Sequence, residues 1–305
     1  MDRLLRALLL LLLALGSAWA HGGQACLVVA EENSAFIEAG EALGIELRSA
    51  GHRLQTFTLP LRTEDTSAFG NCPVIITLGA RAAQGVTALA PRGLVLHTLL
   101  PRAAYERLPL RSEDAKRVSA VFIDQPAARQ IELLRIALPD WPRVALLVGR
   151  DSLELGQRLQ LNARERRLRP ILAPLGDESE LYSTLQRALG EPAILLAVPD
   201  ANVYNNRTIS NILLTAYHQR SPVVGFSPAY VKAGALLALY STPAQLGQQA
   251  GEAVRHGLAT GTLPAPAAPR HFSISTNPYV ARSLGIALED PQILRERLER
   301  AEGTP

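Results

Sequence analysis

Lysine is almost missing from this chain. Of 31 basic residues only Lys116 and Lys232 are lysines; the others are arginine. One local arginine cluster, at Arg164, Arg166, Arg167 and Arg169, fits the exposed end of a helix. No aromatic residues interleave with it, so it does not read as a nucleic-acid stripe, and no nucleic-acid partner is expected. Cysteine is equally scarce. Cys26 and Cys72 are the only two, too far apart for a C-x-x-C unit. The six histidines, at 21, 52, 97, 218, 256 and 271, include no i, i+4 pair and no carboxylate-flanked cluster, so no metal is expected. Neither G-x-G-x-x-G nor G-x-x-x-x-G-K-[ST] occurs, and no nucleotide cofactor is expected. Beyond the first twenty residues, no apolar run reaches the length that spans a bilayer.

The first twenty residues are of another kind. Arg3 and Arg6 precede an apolar run, Leu8 to Leu15, and Ala18-Trp19-Ala20 supplies small residues around a cleavage point. This is the pattern of a secretory signal peptide, cleaved after about Ala20. The expected mature chain starts at His21, is soluble and resides in the periplasm. Losing Asp2, Arg3 and Arg6 takes the formal charge from +3 to +2. The 305 residues are 48% hydrophobic and 19% charged, enough apolar material for two ordinary domains.

From Cys26 onward, short apolar runs alternate with amphipathic helical stretches. The runs 26–30, 54–59, 73–78, 93–98 and 118–123 read as strands, with helices over 34–50 and 79–89. The pattern then restarts. Strands are expected at 144–149, 171–174, 193–198, 222–225, 236–240 and 272–276. Helices are expected over 126–138 (with Asp124 as cap), 153–167, 178–189, 203–219, 243–258 and 277–284, and after Pro291. Two such series imply an α/β protein with two doubly wound parallel-sheet lobes. With strand order 2-1-3, the first and third strands are neighbours. Cys26 opens the first and Cys72 immediately precedes the third, so a disulfide is favoured in an oxidising compartment. Two buried free thiols are the alternative.

The stretch Gly225-Phe226-Ser227-Pro228-Ala229 raises the question of a serine nucleophile. A nucleophile elbow needs glycine two positions after the serine and a backbone N–H immediately after it. Here those residues are Ala229 and Pro228, and proline has no N–H. No catalytic activity is expected. The polar loops instead fall at the carboxyl ends of strands, where open α/β sheets bind ligands. They include Glu31-Glu32-Asn33, Gly79-Ala80, Arg150-Asp151-Ser152, Pro199-Asp200-Ala201-Asn202 and Phe226-Ser227. Asp, Ser and Asn are equally normal helix caps, so it is their number at one edge that points to a small-molecule site.

The order of several segments resembles a known family. These are PVIITLGARAAQGV at 73–86, VFIDQPAARQIELLRIALPDWPRVALLVGRDS at 121–152 and AILLAVPDANVY at 193–204. SPVVGFSPAYVKAGALLALYSTPAQLGQQAGEAV at 221–254 and ISTNPYVARSLGIAL at 274–288 complete the set. Together they are similar to the periplasmic substrate-binding components of ABC transporters that include the tryptophan-binding type, built on the type I periplasmic binding fold. The resemblance implies two lobes joined by a three-crossing hinge, with crossings near 119–122, 220–225 and 270–275. One lobe would comprise 21–120 plus 223–271, the other 121–222 plus 272–305. Carried over residue by residue, it implies ligand contacts from Asn33, Gly79, Ala80, Asp151, Ser152, Pro199, Asp200 and Ser227. The implied partners are a small polar solute, with a carboxylate as one option, and a membrane permease, for a monomer. A periplasmic ligand-binding sensor or accessory module, uncoupled from transport, is the alternative. The sequence departs from the family where threonine and proline often follow the glycine of position 79. Here Ala80 and Arg81 stand there, and one hydroxyl contact is lost. Trp141 is the single tryptophan after the leader, which leaves little to stack on an aromatic ligand.

Overall fold

The computed structural model describes residues 23–303; the expected leader and its cleavage point lie outside them. The first sheet contains β1 (Gln24–Val29), β2 (Arg53–Thr58), β3 (Val74–Leu78), β4 (Leu94–Leu100) and β5 (Val118–Phe122). Its order is β2-β1-β3-β4-β5, and every pair is parallel. The intervening helices are α1 (Ser34–Ser49), α2 (Thr66–Gly70), α3 (Gly79–Leu89) and α4 (Arg102–Glu106). Strands buried on both faces read as continuous apolar runs, which is why β1 and β3 were legible as CLVV and VIITL.

The second sheet contains β6 (Arg143–Val148), β7 (Arg169–Pro174), β8 (Ile194–Leu196), β9 (Val223–Gly225), β10 (Leu237–Tyr240) and β11 (Ser273–Thr276). Its order is β11-β10-β9-β8-β6-β7, with β11 antiparallel to β10. Its helices are α5 (Ala127–Ala137), α6 (Leu153–Glu165), α7 (Leu181–Ala188), α8 (Ile209–His218) and α9 (Pro228–Ala233). The remaining helices are α10 (Pro243–Thr260), α11 (Pro278–Leu284) and α12 (Pro291–Ala301). The molecule is therefore two α/β lobes, each with its own apolar core.

Cys26 and Cys72 form a disulfide with Cα atoms 6.0 Å apart. The expected neighbour relation supplies the reason: Ala25 pairs with Val74, so the third strand begins beside the start of the first. The helix expected from residue 277 is capped by Asn277. Its Oδ1 accepts from the N–H groups of Tyr279 and Val280, with Pro278 at the first helical position.

The second expected crossing is corrected. Residues 223–240 do not return to the first lobe. β9 pairs with β8, and β10 pairs with β9, so both extend the second sheet. The chain crosses only after Tyr240, and α10 then packs against α1. The close approach of those helices explains Gly247 and Gly251. A Cβ on Gly247 would collide with the carbonyl oxygen of Ala39, and one on Gly251 would stand 2.7 Å from Glu46 Cβ. The three crossings are thus residues 123–126, 241–242 and 268–272. Before the third, residue Ala267 pairs with β5, covering that sheet edge with a proline-rich strip.

Two local expectations also change. Helix α8 begins at Ile209, not at 203. The Thr208 hydroxyl donates to Val203 O (2.6 Å) and accepts from Asn205 N–H (3.1 Å), which fixes the preceding residues as turns. Asp124 does not cap α5. Its Oδ2 accepts instead from the backbone N–H of Arg102 at 2.6 Å, tying the first crossing to α4.

Candidate functional site

The carboxyl ends of both sheets carry the expected loops, and the second lobe draws its own residues into one cluster. Ser152 Oγ donates to Asp200 Oδ2 at 2.7 Å and accepts from the N–H of Gly149 at 3.1 Å. Asp200 Oδ1 accepts from the N–H of Asn202 at 2.9 Å. Both side chains are buried. Gly149 must stay small here, because a Cβ would stand 2.7 Å from Asp200 Oδ2. The Ser152–Asp200 bond thus joins the loop after β6 to the loop after β8, as a buried polar pair must be joined if it is to be tolerated.

Asp151 faces the other lobe. Its Oδ1 accepts from Arg107 Nη1 at 2.8 Å, and Asn202 Nδ2 reaches its Oδ2 at 3.5 Å. Asp151, Ser152 and Pro199 line a cavity of about 30 Å³ together with Pro101, Arg102 and Asp124 of the facing side. That volume holds about a water molecule. Burial raises the Asp124 carboxyl above its ordinary range, opposed by the hydrogen bond from Arg102 and by its charge.

The expected residues of the first lobe lie elsewhere than this cavity. Asn33 caps α1, its Oδ1 accepting from Phe36 N–H at 2.9 Å. Gly79 starts α3 at φ +83°, and a Cβ there would stand 2.6 Å from Phe36 Cζ, so both its backbone and its contact demand glycine. Ala80 packs against the small cluster of Ala83, Leu100 and Leu108. Arg81 is spent on Glu31, 2.7 Å away in an exposed ion pair.

Ser227 stands at the start of α9 with extended backbone, and its side chain makes no capping bond. Beside it lies an aromatic trio that no motif announced. Phe226 and Tyr230 have ring centroids 4.6 Å apart, and Tyr204 meets them edge-on at 6.1 and 6.3 Å. Tyr204 is buried, its hydroxyl donating to Leu147 O at 3.3 Å, while Phe226 and Tyr230 are partly exposed. Burial pushes both tyrosine hydroxyls above their usual range, so they remain neutral donors. The four-residue spacing from Phe226, just before the Ser227 cap, to Tyr230 in the first turn of α9 was the available signal; Tyr204, and the placement of Arg107 opposite Asp151, had none.

Several solved structures share this fold. The chain aligns with a ligand-free, open substrate-binding protein with adhesive properties from Clostridium difficile. That match has a TM-score of 0.70 at 16% identity, covering 88% of this chain and 96% of that one. An ABC domain in complex with L-Trp from Streptococcus pneumonia gives a TM-score of 0.62 at 14% identity over 90% and 98%. A conserved domain protein from Vibrio cholerae gives 0.62 at 18% over 90% and 98%. At such identities the likeness concerns the fold alone. No curated protein matches the chain. Residues 73–297 match the family described as ABC transporter substrate binding protein, and that span includes nine of the eleven strands among the described residues, β3 through β11. The chain belongs to the ABC transporter substrate-binding protein family.

Proposed function

We propose that this protein is exported to the periplasm, encloses a small polar solute between its lobes, and presents it to an ABC-transporter permease without chemical conversion. The observation that carries the reading is the meeting of the two lobes' strand-end loops, where Asp151, Ser152 and Pro199 face Pro101, Arg102 and Asp124. Hinge closure around a ligand requires such facing, polar, strand-end loops. In this reading Asp151 trades Arg107 for the solute, Ser152 and Asp200 hold the loop that presents it, and Pro199 shapes the wall. Asn33, Gly79, Ala80 and Ser227 complete the cleft when the lobes turn toward one another. Phe226 and Tyr230 add an apolar edge for the aliphatic or ring portion of the solute. The disulfide, which needs an oxidising compartment, supports export.

Thermal-shift screening of residues 21–305 against amino acids, short peptides and small organic acids tests the proposal. A solute at a hundred times its Kd stabilises by about 2.7 kcal/mol, a shift of several degrees. Silence across the whole screen, together with turnover of any substrate, would overturn it.

A further inference from the structure

Several of the buried polar side chains gather at the hinge instead of the cleft. Gln125, Arg129, Gln130 and Gln249 are all at least nine-tenths buried. Long polar groups are tolerated there only when bonded; Gln130 donates to Gln125 O, Gln249 of α10 bonds Ala268 O and Arg270 N–H, and Gln125 and Arg129 bond from one crossing to the next. Gln125, in the first crossing, donates from Nε2 to Ser241 Oγ of the second at 2.8 Å. Ser241 Oγ in turn donates to His271 O of the third at 2.5 Å. Gln125 Oε1 accepts from Arg129 Nη1 at 2.9 Å, and the same nitrogen donates to Pro269 O at 2.9 Å. Arg129 is held from behind by Glu302 Oε1, 2.8 Å from its Nε, and its guanidinium lies 4.5 Å from the centre of the Phe272 ring. The bonds close a loop through all three crossings.

We propose that Gln125 and Ser241 form a clasp that couples the three crossings and sets the angle between the lobes, with Arg129 as the residue that positions Gln125 in it. Lobe rotation is absorbed by backbone dihedral changes at a few crossing residues. Side-chain bonds between crossings make those changes interdependent, so the three segments turn together or not at all. A bond of this kind made in one lobe arrangement and broken in the other shifts their ratio by roughly fivefold when it is lost. Apparent solute affinity scales with the competent fraction, so the clasp tunes binding from outside the cleft. None of the three residues lines the interlobe cavity. The inference holds whichever solute is bound.

The test uses the solute-free chain of residues 21–305 with spin labels on Leu89→Cys and Leu161→Cys, exposed positions on α3 and α6. Both native cysteines are in the disulfide, so the labels are selective. Pulsed dipolar spectroscopy reads the interlobe distance distribution for the labelled parent, Ser241→Ala, Ser241→Thr and Arg129→Gln. The expected result is a shifted or widened distribution for Ser241→Ala and Arg129→Gln, with Ser241→Thr keeping that of the parent. A Ser241→Ala distribution matching the parent overturns the clasp, even if its melting temperature falls. So does a Ser241→Thr distribution as altered as that of Ser241→Ala. If Arg129→Gln fails to fold, the serine pair decides alone, since Ser241 is only partly buried.

Discussion

Arg107 Nη1 and Asp151 Oδ1 lie 2.8 Å apart, and this ion pair joins the end of α4 in one lobe to the loop after β6 in the other. Both side chains are substantially exposed, at 56% and 40%. Water screens such a pair, so Arg107→Ala is expected to cost under about 1 kcal/mol in urea unfolding. Its larger expected effect is on lobe separation. Small-angle scattering of Arg107→Ala should show a larger radius of gyration than the parent at low salt, with the difference shrinking as salt rises. An unchanged radius at every salt concentration would show that the pair does not restrain the lobes.

His97 is expected to make the protein acid-sensitive. It is buried on β4, its Nδ1 2.7 Å from Thr77 Oγ1, and burial lowers its pKa from 6.5 to about 4. Between those values the unfolded chain binds the proton and the folded chain does not. Stability is therefore expected to fall as pH drops from 6.5 to 4, by up to about 3 kcal/mol from this group. His97→Phe should flatten that interval of a pH-dependent melting series. Equal slopes for parent and variant would remove His97 as the cause.

The disulfide closes a loop with a sequence separation of 46 residues. Loop-closure entropy assigns such a link about 4 kcal/mol. The Cys26→Ala, Cys72→Ala double variant should lose roughly that amount in urea unfolding, with its far-UV spectrum retained. A loss below about 1 kcal/mol would mean that the unfolded chain gains little freedom when the link is absent.

Gly247→Ala is expected to destabilise by about 1–3 kcal/mol, because the added methyl meets the fixed backbone of Ala39. Gly261→Ala is a useful contrast. Nothing lies within 4 Å of its added Cβ, and its cost comes from φ +75° alone, about 1 kcal/mol. Chemical denaturation of both variants checks the order, with Gly247→Ala expected to be the less stable.

How far the sequence could be read depended on the range of the physics. Alternating apolar runs and amphipathic stretches located nearly every strand and long helix, because period and capping are local properties. The neighbour relation of Cys26 and Cys72 followed from the order 2-1-3, which is a topological rule. The site was less legible. Asp151, Ser152, Pro199 and Asp200 do converge, whereas Asn33, Gly79 and Ala80 are engaged in capping and packing within their own lobe. A polar residue at a strand end reads the same whether it caps a helix or faces a ligand.

Local pattern alone was enough to fix the two α/β series, the helix opening at Asn277-Pro278, and the place where a disulfide could close. Which sheet receives Val223–Gly225 and Leu237–Tyr240 was settled by long-range packing, because a strand buried on both faces carries no mark of its neighbours. That packing alone set Arg107 against Asp151 and threaded Gln125, Ser241 and Arg129 through the hinge. Those contacts join residues 44 and 116 positions apart in the first two cases. Pairings at that range depend on how whole lobes pack, and no local pattern encodes them.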